Sequence, residues 1–224
     1  MFGRAARSGR LPEIFGPAEF ADVANVSRET LARLEAYVRL LREWNARQNL
    51  VSKSSLEDVW QRHVWDSAQL LPFVPNPART LADFGSGAGF PALVIAAMRP
   101  NIRVSLFESI AKKCRFLAEA AQVLQVEVDI RNARIEEVTP EGFDVVTARA
   151  CAPLDHLLGY ARRFQSPNTV NLFLKGQDVE AELKEATKSW KMEVVKHPSR
   201  SGSGTILEIR KLAHVQPGRP IVPA

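Results

Sequence analysis

Between residues 83 and 91 the chain reads Asp83-Phe84-Gly85-Ser86-Gly87-Ala88-Gly89-Phe90-Pro91. Glycines on alternate positions let a backbone turn tightly and leave peptide amides bare, so that a ligand can lie directly against them. A dinucleotide-binding loop reads G-x-G-x-x-G. Here the third glycine comes one residue early, and Phe90 stands where that pattern wants glycine. Glu108 lies 25 positions after Asp83, at the end of the next apolar run. An acid there can accept both hydroxyls of a ribose, a job common to nucleoside-containing cofactors. Two blander readings stand beside these: a tight turn with no ligand, and a first-turn acid that favours the start of a helix.

Other chemistry finds less support. Two cysteines, Cys114 and Cys151, cannot build a disulfide framework or a multi-thiolate metal site. The histidines His63, His156, His197 and His214 show no ligand spacing, so no metal is expected. With 46% hydrophobic and 25% charged residues in 224, the chain is neither a disordered tail nor a fibre. The best uninterrupted apolar run, residues 90–98, contains Pro91 and is far short of the roughly 20 residues that a membrane span needs. Arg4, Arg7 and Arg10 read as a frayed basic terminus rather than a secretory signal, and reduced cytoplasm is the expected compartment.

Lys and Arg total 30 against 25 Asp and Glu, a net charge of +5, which points to an anionic partner such as nucleic acid. The excess is uneven. Residues 99–116 hold five bases (Arg99, Arg103, Lys112, Lys113, Arg115) against Glu108, and residues 184–219 hold eight bases against three acids.

The elements that must position these groups follow from periodicity. Leu31, Leu34, Val38, Leu41 and Trp44 recur at helical steps after Ser27, an expected N-cap. A second helix is expected after Ser55, with Asp58 completing a capping box. Pro72, Pro75 and Pro77 mark a connection. Beyond it, strands at 80–84, 103–107, 126–130, 143–147 and 169–174 alternate with helices at 91–98, 110–124, 154–164 and 178–189. Two last strands, 191–196 and 205–210, are joined too tightly for a crossover and should run antiparallel. The fold class is α/β, a mostly parallel sheet covered on both faces, with an N-terminal helical extension. The expected division is a flexible N-terminus at 1–26, the extension at 27–79, the sheet domain at 80–212 and a flexible tail at 213–224.

The glycine loop with its preceding acid, and the acid ending the second strand, resemble the class I (Rossmann-like) S-adenosylmethionine-dependent methyltransferases. The resemblance implies a seven-stranded sheet with an antiparallel last strand. Further segments narrow it: Trp44-Asn45-x-x-x-Asn49-Leu50-Val51-Ser52, Arg62-His63-Val64-Trp65-Asp66-Ser67, Lys112-Lys113-x-Arg115-Phe116-Leu117, Ala133-Arg134-Ile135-Glu136-Glu137, Thr147-Ala148-Arg149-Ala150 and Leu174-Lys175-Gly176. In this order, over roughly residues 31–212, the set closely resembles the bacterial small-subunit ribosomal RNA guanine-N7 methyltransferases, also known as the glucose-inhibited division protein B family. One position departs from that family, which usually has glycine where Ala92 follows the loop proline.

What this resemblance implies can be stated residue by residue. S-adenosylmethionine would be held by Asp83, Gly85, Gly87, Gly89, Phe90, Glu108, Ile135, Glu136 and Arg149. Arg149, with Arg134, would orient the reaction without acting as a general base, because guanine N7 carries a lone pair and no proton. Arg62, His63, Lys112, Lys113, Arg115 and Lys175 are the candidate RNA contacts. The substrate would be 16S rRNA of the small ribosomal subunit, at guanine 527, and the enzyme a monomer. On the residues alone, three other readings stay open: a methyltransferase for a small molecule or protein, a nicotinamide-dependent oxidoreductase, and a non-catalytic nucleic-acid-binding module.

Overall fold

The computed structural model describes residues 15–215 except 150, 177 and 203. Seven strands form one sheet: β1 (Thr80–Phe84), β2 (Arg103–Phe107), β3 (Val128–Arg131), β4 (Phe143–Arg149), β5 (Gln165–Lys175), β6 (Trp190–Pro198) and β7 (Thr205–His214). Their order is β3-β2-β1-β4-β5-β7-β6. Every pairing from β3 through β5 is parallel, and β7 runs antiparallel to both of its neighbours. The expected strand set, and the antiparallel pairing of the last two strands, are therefore present.

Parallel strands need crossovers, and helices supply them on both faces. Along β1 and β4, Leu81 and Val145 pack into one apolar cluster, while Ala82, Phe84, Val146 and Ala148 pack into the other, the two-residue alternation of a pleated strand. The first face is covered by α5 (Ala92–Met98) and α6 (Ala111–Leu124), the second by α7 (Leu154–Arg162) and α8 (Val179–Ala186).

The N-terminal helices do not form a separate body. α2 (Arg28–Asn45) starts at Ser27, whose Oγ accepts from the Thr30 amide at 3.1 Å. Its buried stripe of Leu34, Tyr37, Val38 and Leu41 joins the same cluster as Leu81, Phe116 and Val145. The proline-rich connection at 72–80 is thus not a boundary between cores.

Three expectations need correction here. Residues 15–24, expected to be flexible, carry Phe15 and α1 (Pro17–Ala24). Phe20 is fully buried, with its ring 5.5 Å from Trp60 and 6.4 Å from Trp65. Burying such a ring stabilises by about 1.5–3 kcal/mol, enough to hold a two-turn helix. β7 likewise continues through His214, into the expected tail, with Lys191 pairing Ala213 and Trp190 pairing His214. The other expected flexible residues, 1–14 and 216–224, lie outside the described ones.

The third correction concerns the helix expected after Ser55. Ser52, not Ser55, is the N-cap, accepting the Ser55 amide at 3.2 Å, and α3 (Lys53–Glu57) is short. The chain then winds as a π-helix over Trp60–Trp65 before α4 (Asp66–Ala68). π-helical turns are rare and are often found at functional sites. This one carries Arg62 and His63.

Candidate functional site

The strand order reverses between β2 and β4, on either side of β1. In open parallel sheets, ligands bind beyond the strand C-termini at such a switch point. The glycine loop leaves β1 there, and Arg149 ends β4 beside it. Gly85, Gly87 and Gly89 have φ of 64°, 54° and 87°, a region that side chains other than glycine rarely adopt. Their surroundings differ. A Cβ on Gly85 would stand 2.8 Å from the Cys151 Cβ, and one on Gly89 2.4 Å from Leu93 Cδ1. At Gly87 the nearest atom would be 3.7 Å away, an ordinary contact, and its backbone lines the cleft described below.

Glu108, 5% exposed, fixes the loop from beneath. Its Oε2 accepts the Gly87 amide and its Oε1 the Ile110 amide, both at 2.9 Å. Tyr37, wholly buried in α2, donates to the Ala88 carbonyl from the other side. Asp83 is buried under the loop. Thr147 Oγ1 donates to its Oδ1 at 2.7 Å, while Oδ2 has no partner among the described residues. Burial pushes the Asp83 carboxyl up to about 7.

Alternation along β4 puts Val145, Thr147 and Arg149 on the face towards the extension. Arg149 therefore meets the π-helix. Its Nη1 donates to the Arg62 carbonyl at 3.1 Å and to His63 Nδ1 at 2.5 Å. Its guanidinium lies 5.1 Å from the centroid of Phe90, on whose ring His63 also stacks at 4.9 Å. Burial and the neighbouring Arg149 and Arg62 cations push the His63 imidazole down to about 2, so it is neutral at any working pH. Below it, Asp66 Oδ1 accepts the Ser199 and Ser201 hydroxyls at 2.7 and 2.6 Å, fastening the β6–β7 loop to the extension. The burial that raises the Asp66 carboxyl outweighs these bonds.

Together these groups wall an open cleft of about 440 Å³. One side is the glycine loop: Gly85, Ser86, Gly87, Ala88 and Phe90. The extension contributes Leu50, Val51, Ser52, Arg62, His63 and Asp66, and the two sets meet where His63 stacks on Phe90. The Trp44-Asn45-x-x-x-Asn49-Leu50-Val51 segment owes its place to Asn45, whose Oδ1 accepts the Leu50 and Val51 amides at 2.8 and 2.9 Å.

The structure brings Gly85, Gly87, Phe90, Arg149, Arg62, His63, Lys113 and Lys175 to this cleft, with Asp83 and Glu108 behind the loop. Lys113 Nζ is 3.9 Å from Glu108. Lys175 is not a free cation: its ammonium pairs with Glu182 at 2.7 Å and donates to the Ala152 carbonyl at 3.0 Å. Lys112 and Arg115 are exposed on α6, away from the cleft lining. Arg134, expected next to a strand end facing the site, is exposed and does not line the cleft either.

Ile135 and Glu136 form a 3-10 turn outside the cleft. Arg163 holds this turn through the Ile135, Glu136 and Val138 carbonyls, and Tyr160 donates to Glu136 at 2.8 Å. Arg163, Tyr37 and Ser199 escaped the sequence reading, because each acts through a partner far away in the chain, and Thr147 was read only as part of the segment that carries Arg149. Only Thr147, two residues before Arg149 on a strand, carried a local signal.

Comparison with known proteins agrees with this geometry. The family model described as rRNA small subunit methyltransferase G matches residues 30–207. Proteins named ribosomal RNA small subunit methyltransferase G are similar along nearly the whole chain. The one from Paramagnetospirillum magneticum is 46% identical over 88% of this chain and 97% of its own, and that from Parvibaculum lavamentivorans 45% over 93% and 95%. Among solved structures, a SAM-dependent methyltransferase from Aquifex aeolicus has a TM-score of 0.54 at 14% identity, covering 70% of this chain and 93% of that one. The M. jannaschii TYW2 complex with AdoMet has a TM-score of 0.53 at 15% identity, covering 76% and 80%. These structures share the class I methyltransferase fold, and the chain belongs to the rRNA small subunit methyltransferase G family.

Proposed function

We propose that this protein transfers a methyl group from S-adenosylmethionine to N7 of a guanine in 16S rRNA, at position 527, in the small ribosomal subunit. The observation that carries this reading is a single cleft lined by bare glycine backbone, by Arg62 and His63 of the extension and by Arg149 at the end of β4. Family membership supports the RNA substrate.

The residues present fit the cofactor. Gly87 lines the cleft, and a buried carboxylate oxygen of Asp83 stands unpaired beneath the loop, suited to a positively charged group nearby. Glu108 spends two of the roughly four lone-pair sites of a carboxylate on amides, leaving two for ribose hydroxyls. The 3-10 turn at Ile135 and Glu136 would receive the adenine end. When bound, the cofactor supplies a sulfonium methyl: the N7 lone pair forms the new C–N bond while the C–S electron pair returns to sulfur, and no proton moves.

The protein's work is then alignment rather than acid–base chemistry. Arg149 stiffens the seam between sheet and extension by holding the Arg62 carbonyl and His63 at once. Phe90 closes one end of the cleft and supports both the guanidinium and the imidazole. Arg62 and Lys113 at the rim, with the exposed Lys112 and Arg115 on α6, would hold RNA phosphates while the base enters. The protein is read as acting in the cytoplasm as a monomer. No helix among the described residues is long and apolar enough to cross a membrane.

The test is primer extension after N7-selective cleavage of 16S rRNA from a strain lacking the gene. The stop at guanine 527 should vanish in that strain and return when the gene is supplied. A stop unchanged by the deletion would overturn the proposal.

A further inference from the structure

His63 is the group in the cleft whose hydrogen-bonding capacity is unspent. The residue is 7% exposed, lines the cleft, and its Nε2 has no partner among the described residues. A buried polar group without a partner costs stability, and one that lines a cleft can be completed by a molecule that enters it. The direction of that missing bond is settled by Arg149. A guanidinium can only donate, so Nδ1 of His63 must be the acceptor and the ring proton must sit on Nε2. The imidazole cannot swing away, because it is stacked on Phe90 with the two ring planes 20° apart. His63 thus offers one N–H donor, fixed in place.

We infer that His63 is a specificity-determining residue whose Nε2–H donates to O6 of the target guanine while N7 faces the methyl donor. This rests on the proposed function and names the group that selects the base. O6 and N7 are adjacent acceptors on the same edge of guanine, whereas adenine presents an amino donor in place of O6. Facing His63, adenine would set a donor against a donor. The partner is taken to be the base rather than the cofactor because His63 is carried by the π-helix of the extension, next to the exposed Arg62, a candidate RNA contact at the same cleft. Neutrality also suits the reaction, since N7 methylation leaves a positive charge on the guanine ring and a protonated histidine would oppose it.

The experiment compares transfer to ligated 16S rRNA carrying either guanine or 2-aminopurine, which keeps N7 but has no O6, at the target position. The intrinsic difference in N7 reactivity is common to all enzyme forms, so the ratio of ratios isolates the O6 contact. Wild type should prefer guanine over 2-aminopurine by about tenfold more than His63→Phe does, the size of one buried hydrogen bond. His63→Gln, which keeps both an acceptor for Arg149 and a donor, should recover part of that preference. S-adenosylmethionine affinity by calorimetry should be unchanged in both variants. An undiminished guanine preference in His63→Phe, or a loss of cofactor affinity matching the loss of transfer, would overturn this inference alone. Failure of wild type to methylate the guanine RNA would overturn the proposed function and this inference with it.

A second measurement needs no variant. In the ¹⁵N spectrum of histidine-labelled wild type, His63 should appear as the Nε2–H tautomer and shift with guanine RNA but not with 2-aminopurine RNA. The opposite tautomer, or equal shifts, would contradict the assignment.

Discussion

The two walls of the cleft are built from different materials. The sheet-side wall is mostly backbone: glycines at positive φ, held from below by Glu108 and from beside by Tyr37. The extension wall is side chains, Arg62, His63 and Asp66, fixed by Arg149 from the end of β4 and by Ser199 and Ser201 from the β6–β7 loop. Backbone grips a ligand without reading its details, while side chains with directed donors can discriminate between bases. Under the proposed function, the common cofactor would lie on the first wall and the particular substrate against the second.

The largest effect should come from filling the backbone wall. Gly87→Arg has room for its Cβ but projects a long side chain into the cleft, so cofactor binding and methyl transfer should both drop below detection. Thermal denaturation should show the fold retained, at a cost of about 1–2 kcal/mol for the left-handed backbone. Next comes the seam. Arg149→Ala leaves His63 Nδ1 and the Arg62 carbonyl without a donor, which should cost about 1–3 kcal/mol in urea unfolding. It should also depress transfer more than cofactor affinity. Arg149→Lys should not rescue it, because a single ammonium cannot span both acceptors and stack on Phe90.

Asp83 gives a smaller, pH-dependent effect. In the unfolded chain its carboxyl titrates near 3.8, but burial holds its proton to about 7 in the folded one. Between those values the unfolded state binds fewer protons, so stability should fall as pH rises from about 4 to about 7. The loss amounts to a few kcal/mol, since each pH unit is worth about 1.4 kcal/mol. Asp83→Asn should flatten that slope in urea titrations; an unaltered slope would mean that other groups produce it. The smallest effect belongs to the rim. Lys112→Glu with Arg115→Glu, both exposed on α6 outside the cleft lining, should weaken RNA binding several-fold, with a shallower salt dependence and cofactor affinity kept, because each phosphate contact releases a counterion.

The same contrast explains what could be read before folding. The backbone wall was legible because glycine types report backbone conformation locally: Gly85, Gly87 and Glu108 were identified by position relative to two strands, and they stand there. So was the sheet, since alternation of apolar runs and helical stretches is a short-range property. The extension wall was legible only as residue types. Nothing local announces a π-helix. The bond from Arg149 to His63 spans 86 positions, and Asp66 to Ser201 spans 135. For Arg134, proximity to a strand end did not mean proximity to the cleft, because the residue is exposed outside it; Lys175 does line the cleft, with its ammonium paired to Glu182. α1 was missed because its few apolar residues are unconvincing until Trp60 and Trp65 are there to receive Phe20.

The central claim, that the two walls divide cofactor from RNA, is tested most directly by titrating S-adenosylmethionine into wild type, Gly87→Arg and Arg62→Glu while following methyl transfer to small subunits lacking the modification. The account predicts no binding to Gly87→Arg, and wild-type affinity in Arg62→Glu with transfer strongly reduced. Equal loss of cofactor affinity in both variants would contradict it.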